Sequence, residues 1–263
     1  AMGTSSLGTC TTGTYNVALG DSALFATTTA SNNTAVGGGA LTANTTGASN
    51  VAVGRSALTA NTTGAQNTAV GGRSQEATTT GADNTSIGWG SLILNTTGAS
   101  NTALGRSSLA ANTSASNNTT AGANSMQANT TGASNAAFGK GALASNTTAS
   151  NNTAVGFESL VSNTTGANNA AIGFSAGYTN STGSQNTSVG GYSLYFNAAS
   201  DNSAFGYNAL FTSTTGAGNT AVGSGALLAN TSGGNNVAVG ISALTANTTG
   251  SHNHCFGDFA GEN

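Results

Sequence analysis

The sequence predicts an all-β fold, a parallel β-solenoid of about fifteen coils of 17 residues. Three observations carry this prediction. Asn recurs at positions 16, 33, 50, 67, 84, 101, 118, 135, 152, 169, 186, 202, 219, 236 and 253, a spacing of 17 with one interval of 16. Every one of these Asn residues is followed four positions later by Gly, from Gly20 to Gly257. Pro is absent from all 263 residues, as expected where nearly every backbone N–H donates to a neighbouring strand. A fixed short period of this kind is the mark of a repeat architecture.

With each Asn as position 1, the repeat reads N-T-A-V-G-x-x-A-L-x-x-N-T-T-G-A-S. N-T-A-V-G predicts a first strand, ended by the position-5 Gly column of Gly37, Gly54, Gly71 and Gly88. A-L-x-x predicts a second short strand. N-T-T-G-A-S predicts the return turn, with its Gly expected to supply a positive φ. The 16-residue interval falls in that turn, at Asn197-Ala198-Ala199-Ser200-Asp201. A deletion inside a strand would flip every later side chain to the other face, whereas a turn can absorb it.

Coils stacked at about 4.8 Å would build a rod of roughly 70 Å, with like residues in columns. The position-1 Asn column (Asn33, Asn50, Asn67, Asn84) and the position-12 column (Asn44, Asn95, Asn163) predict amide ladders along the axis. Positions 4 and 9 supply most of the apolar bulk, as in Val36 and Leu41, and positions 3 and 8 are small. Positions 3 and 4 are adjacent and face opposite sides of the strand. One faces the lumen, and the sequence does not say which. The other calls for a cover, which sister chains of a homotrimer would provide.

Composition narrows the function. Only 4% of residues are charged and the net charge is −3, with four basic residues in all. No basic patch for nucleic acid can form. No apolar run approaches the roughly 18–20 residues of a membrane span. Seven carboxylates and two His residues leave no catalytic constellation, so no enzyme and no cofactor is expected. The chain reads as a single repetitive segment over 1–263, excerpted from a longer polypeptide.

The N-x-A-[VI]-G unit, seen at Val36-Gly37, Val53-Gly54, Ile87-Gly88 and Ile172-Gly173, resembles the YadA-type head repeats of trimeric autotransporter adhesins, whose period is shorter. The 17-residue form is similar to repeats of bacteriophage tail fibres and bacterial surface fibres. Asn169 to Gly183 is an example, with Ala176-Gly177-Tyr178 and Asn180-Ser181-Thr182-Gly183. The resemblance implies a left-handed parallel β-roll, three chains side by side, and an extracellular role as adhesin head or fibre shaft. It brings no catalytic residues.

Variation concentrates at positions 6 and 7. All four basic residues lie there (Arg55, Arg73, Arg106 and Lys140), with Asp21, Glu158 and Asp258 and the aromatics Trp89, Phe157, Phe174, Tyr192 and Tyr207. This predicts a solvent-facing corner, either free to vary or serving as a binding edge for a surface glycan or protein. Tyr and Trp suit sugar recognition because each joins an apolar ring to a polar tip. Position 10 adds Phe25, Tyr178, Tyr195 and Phe211.

His252-Asn253-His254 has the only metal-like spacing; in an extended strand both imidazoles would face one way. The same stretch also reads as plain turn. Cys10 and Cys255 are far apart in the repeat array, so no bridge between them is expected, and Cys255 stands for Ala at position 3. The N-T-T turns fit the glycosylation pattern, but their periodicity points to a turn role. The leading functional expectation is an extracellular structural or adhesive fibre segment. The alternatives are an ice-binding solenoid and a self-assembling filament without a ligand.

Overall fold

The computed structural model describes residues 1–261 and divides into two compact units, Ala1–Ser134 and Asn135–Asn263. Unit 1 carries seven strands: β1 (Val17–Leu19), β2 (Thr34–Val36), β3 (Val51–Val53), β4 (Thr68–Val70), β5 (Thr85–Ile87), β6 (Thr102–Leu104) and β7 (Thr119–Ala121). Unit 2 carries eight: β8 (Ala136–Phe138), β9 (Thr153–Val155), β10 (Ala170–Ile172), β11 (Thr187–Val189), β12 (Ser203–Phe205), β13 (Thr220–Val222), β14 (Val237–Val239) and β15 (His254–Phe256). Within each unit every strand pairs in parallel with the next. Thr34 sits against Val51, Ala35 against Ala52 and Val36 against Val53, and the same register recurs in unit 2. Each unit is an all-β parallel solenoid built one repeat per coil.

The lumen belongs to positions 3, 8 and 9. Ala35, Ala52, Ala40, Ala57, Leu41 and Leu58 are fully buried and form one continuous core in unit 1. Ala204, Ala221, Leu210 and Leu227 do the same in unit 2. Position 4 points outward, and strands alternate from half-buried to buried and back. A small residue at position 3, Ala in most coils and at most the buried Thr120, lets the strand approach the position-9 side chain across a narrow interior.

The expected second strand does not form. A-L-x-x is a turn, because φ is positive at three alternate positions, 5, 7 and 9, as at Gly54, Ser56 and Leu58. Leu58 still donates to Ser74 O of the next coil at 3.0 Å, and Asn61 turns back onto Leu58 O at 3.2 Å. A left-handed conformation costs a non-Gly residue about 1–2 kcal/mol, and burying Leu returns about 1.5–3 kcal/mol. Leu therefore holds position 9. Position 7, with no lumen to fill, is mostly Gly, Ser or Asn, as at Gly39, Ser107 and Asn208.

The return turn also differs from expectation. Its positive φ belongs to position 17, as in Asn32, Asp83 and Asn168, and not to the Gly of position 15. Asn and Asp tolerate that conformation best among non-Gly residues. Position 15 is small for a different reason: a Cβ on Gly47 would lie 2.5 Å from Asn44 Oδ1 and press on Gly64 O. The position-5 Gly combines both demands. Gly71 has φ +131, and a Cβ there would meet Gly88 O at 2.5 Å.

Two Asn ladders line the coil wall. Asn50 Oδ1 accepts from Asn67 N at 2.9 Å, and Asn33 Oδ1 accepts from Asn50 N at 2.9 Å and Asn50 Nδ2 at 3.2 Å. Asn84 N donates to Asn67 Oδ1 at 3.0 Å. Asn61 of position 12 donates to Asn44 Oδ1 at 2.8 Å. Asn50 Nδ2 and Asn61 Nδ2 converge on Gly64 O, each at 2.9 Å. These amides are fully buried, and each satisfies backbone groups that the turn would otherwise leave unpaired. Asn44 thus has neither exposure nor a free amide for a glycan.

The short coil keeps this scheme. Asn186 and Asn197 both reach Ala199 O, at 2.8 and 2.9 Å, and Asn202 N reaches Asn186 Oδ1 at 3.0 Å. β11 still pairs with β12 in register.

Candidate functional site

In each unit the position-6 and position-7 columns form an exposed corner. Arg55, Trp89, Arg106, Lys140, Phe157, Phe174 and Tyr207 are exposed, and Tyr192 is half-buried. In unit 1 these residues stand apart. Trp89 lies against Gly72 of the preceding coil, within van der Waals reach of any side chain added there. Arg73 pairs with Glu76 at 2.7 Å on a solvated surface, a contact of small energetic consequence.

In unit 2 the aromatics gather. Along positions 6 and 7, Phe157 stacks on Phe174 at 5.4 Å, Phe174 meets the Tyr192 ring at 5.2 Å, and Tyr192 meets Tyr207 at 5.8 Å. Lys140 Nζ lies 5.5 Å from the Phe157 centroid, a contact worth about 0.5–1 kcal/mol at an exposed site. Along position 10, Tyr195 stacks between Tyr178 at 4.9 Å and Phe211 at 5.3 Å. Tyr192 joins the two columns through Tyr195 at 5.6 Å. Phe196, which the periodic reading passes over, meets Tyr195 and Phe211 edge-on at 4.7 and 5.4 Å. Its signal was local: it adjoins Tyr195 in the one coil that is a residue short.

Ring orientation divides this cluster. Phe157–Phe174, Tyr178–Tyr195 and Tyr195–Phe211 lie within 13° of parallel, so each of these rings has a face covered, and Tyr195 both. Such pairs add roughly 0.5–1.5 kcal/mol each beyond area burial. Tyr207 has no parallel partner among the described residues; it stands at 84° to Tyr192 and is 56% exposed. Its ring reaches over Gly191, whose missing side chain opens the position-6 column there. The result is a depression of about 370 Å³ lined by Tyr192, Tyr195, Tyr207, Asn208 and Phe211. Burial among rings raises the Tyr195 hydroxyl above its ordinary pKa, with Tyr178, Tyr192 and Glu158 adding to the shift.

In each unit the outward position-4 column is a second surface. Ile87 is 46% exposed, Ile172 45% and Phe205 41%. Beside it runs position 2, half-buried Thr at Thr68, Thr85 and Thr102 in unit 1.

The two His residues do not share a strand. His252 has φ +60 in the return turn, and His254 opens β15. The alternation that would aim both imidazoles one way therefore does not apply. Among the described residues no three His, Cys, Asp or Glu side chains gather. Both Cys residues are free, and Cys255 packs against the unit 2 core at the Ala position. Among the described residues no helix is long and apolar enough to cross a membrane. Comparison with protein-family models, with curated proteins and with solved structures finds no match for this chain.

Proposed function

We propose that this chain is an extracellular structural or adhesive fibre segment, an adhesin head or fibre shaft of a bacterial surface or phage tail, working as a homotrimer. The observation that carries the reading is the outward apolar column of position 4, running along a solenoid whose own lumen is already filled by Ala and Leu. Contiguous exposed apolar rows mark interaction surfaces, and identical columns on identical chains are self-complementary. Stacked ladders supply stiffness, and three parallel corners supply multivalent presentation to a host-surface glycan or protein.

Sedimentation of the purified chain is expected to give three times 25.1 kDa. Ile172→Asp, which puts a charge into the covered column, is expected to yield monomer while keeping the β-rich circular dichroism spectrum. A parent chain that sediments as a monomer overturns the proposal.

One observation favours a second reading, ice binding. The outward faces of β4, β5 and β6 carry Thr at position 2 beside Val70, Ile87 and Leu104 at position 4, a regular two-column array of the kind an ordered water layer would need. Phe138 and Phe205 interrupt that array in unit 2, which favours a protein cover. A thermal-hysteresis assay is expected to give no activity; measurable hysteresis would reverse the ranking.

A further inference from the structure

We infer that the depression between Tyr207 and Phe211 binds an uncharged pyranose, so that the adhesive edge is a neutral-glycan site confined to the coils of β11 and β12. This rests on the reading of the chain as an adhesive fibre segment and names the ligand class of its exposed edge.

Four observations meet at this point. The depression has the volume of a small-ligand site, which begins at roughly 300 Å³. Its walls are aromatic, and neither Tyr192 nor Tyr207 has a parallel-stacked neighbour among the described residues, Tyr207 being the more exposed of the two. A sugar ring lays its C–H face on such a surface. Its rim is polar and neutral. The Asn208 amide and the hydroxyls of Tyr192, Tyr195 and Tyr207 have no hydrogen-bond partner within the described residues, and alternating donors and acceptors of this kind suit vicinal hydroxyls. No charged side chain lines it, so neither a carboxylated sugar nor a phosphate finds a counter-ion.

The departures from the repeat also coincide here. Tyr192 takes a position usually held by Gly, Ser or Asn, and the same coil has the short turn at Asn197, next to the gap that Gly191 leaves in the variable position-6 column. Stacking alone gives no reason for these changes to fall on one coil, because the in-register pairing of β11 and β12 is the same as elsewhere.

Substitutions to residues found at the same repeat position keep the coil intact. Ser occupies position 6 at Ser224 and position 7 at Ser56, Ser107 and Ser242. The test is saturation-transfer NMR of the full chain with methyl glycosides of glucose, galactose, N-acetylglucosamine and N-acetylgalactosamine, with sialyllactose as the charged control. At least one neutral glycoside is expected to receive saturation from aromatic protons. Tyr207→Ser and Asn208→Ser are each expected to weaken it about tenfold, and Trp89→Ser to leave it unchanged. A blank panel, preference for sialyllactose, or unaltered binding by both variants would overturn the site. A blank panel from a chain that still sediments as a trimer sinks the glycan site alone. Glycoside binding by a monomer sinks the fibre assembly alone.

Discussion

Gly71→Ala is expected to lower stability by about 3 kcal/mol or more. Two costs fall on the same atom. The backbone at Gly71 has φ +131, a region that side chains rarely enter, and the added Cβ would sit 2.5 Å from Gly88 O and 2.7 Å from Gly88 C. Those contacts are backbone of the next coil, held in place by its own ladder, so no rotamer change relieves them. Gly38→Ala is the matched control, since a Cβ there meets nothing within 4 Å. Its effect is expected to stay within about 0.5 kcal/mol. Urea denaturation of both variants reads the difference, and amide exchange is expected to open first at β4 and β5, the strands flanking the clash. Equal midpoints would mean that position 5 is not a coil-to-coil contact.

Asn67→Leu is expected to cost about 4 kcal/mol, and Asn50→Leu noticeably less. Leu has nearly the shape of Asn, so the loss is in hydrogen bonding. At Asn67 it orphans two buried backbone groups. Gly81 O loses the Asn67 Nδ2 bond of 2.8 Å, and Asn84 N loses its 3.0 Å bond to Asn67 Oδ1. Each unpaired buried group costs about 1–3 kcal/mol. Position 12 of this coil is Thr78 rather than Asn, so no second amide reaches Gly81 O among the described residues. Asn50→Leu orphans Asn67 N in the same way, but Gly64 O keeps the bond from Asn61 at 2.9 Å. The gap between the two variants, read from denaturation midpoints at equal slope, measures the second donor. If both lose the same amount, the convergence of the two ladders on one carbonyl carries no energy.

The repeat period, the strand at positions 2 to 4, its parallel register and the Asn ladders were all legible in the sequence. Each follows from one fact, that like residues 17 apart must lie one above another. The short turn was legible too, because a missing residue is harmless only where no alternation depends on it. The turn chemistry was partly legible and partly missed. Asn and Asp recur at position 17, and Gly, Ser and Asn at position 7, which is the residue set a positive φ selects. Leu58 and its equivalents hid the third such position, since nothing in a Leu column announces a left-handed backbone.

Only the tertiary structure decided which strand face is inside. Alternation places Ala35 and Val36 on opposite sides but is symmetric between them. The choice is made when the coil closes, because Leu41 shares the lumen with position 3 and leaves room beside it for only a small side chain. Closure thus sends the larger aliphatic residues outward. Ring orientation was also beyond the sequence. Phe174, Tyr195 and Tyr207 look alike as exposed aromatics in a periodic reading. Whether a ring's face is open or already covered depends on its neighbours in the adjoining coils, and at Tyr207 it depends on the side chain that Gly191 lacks.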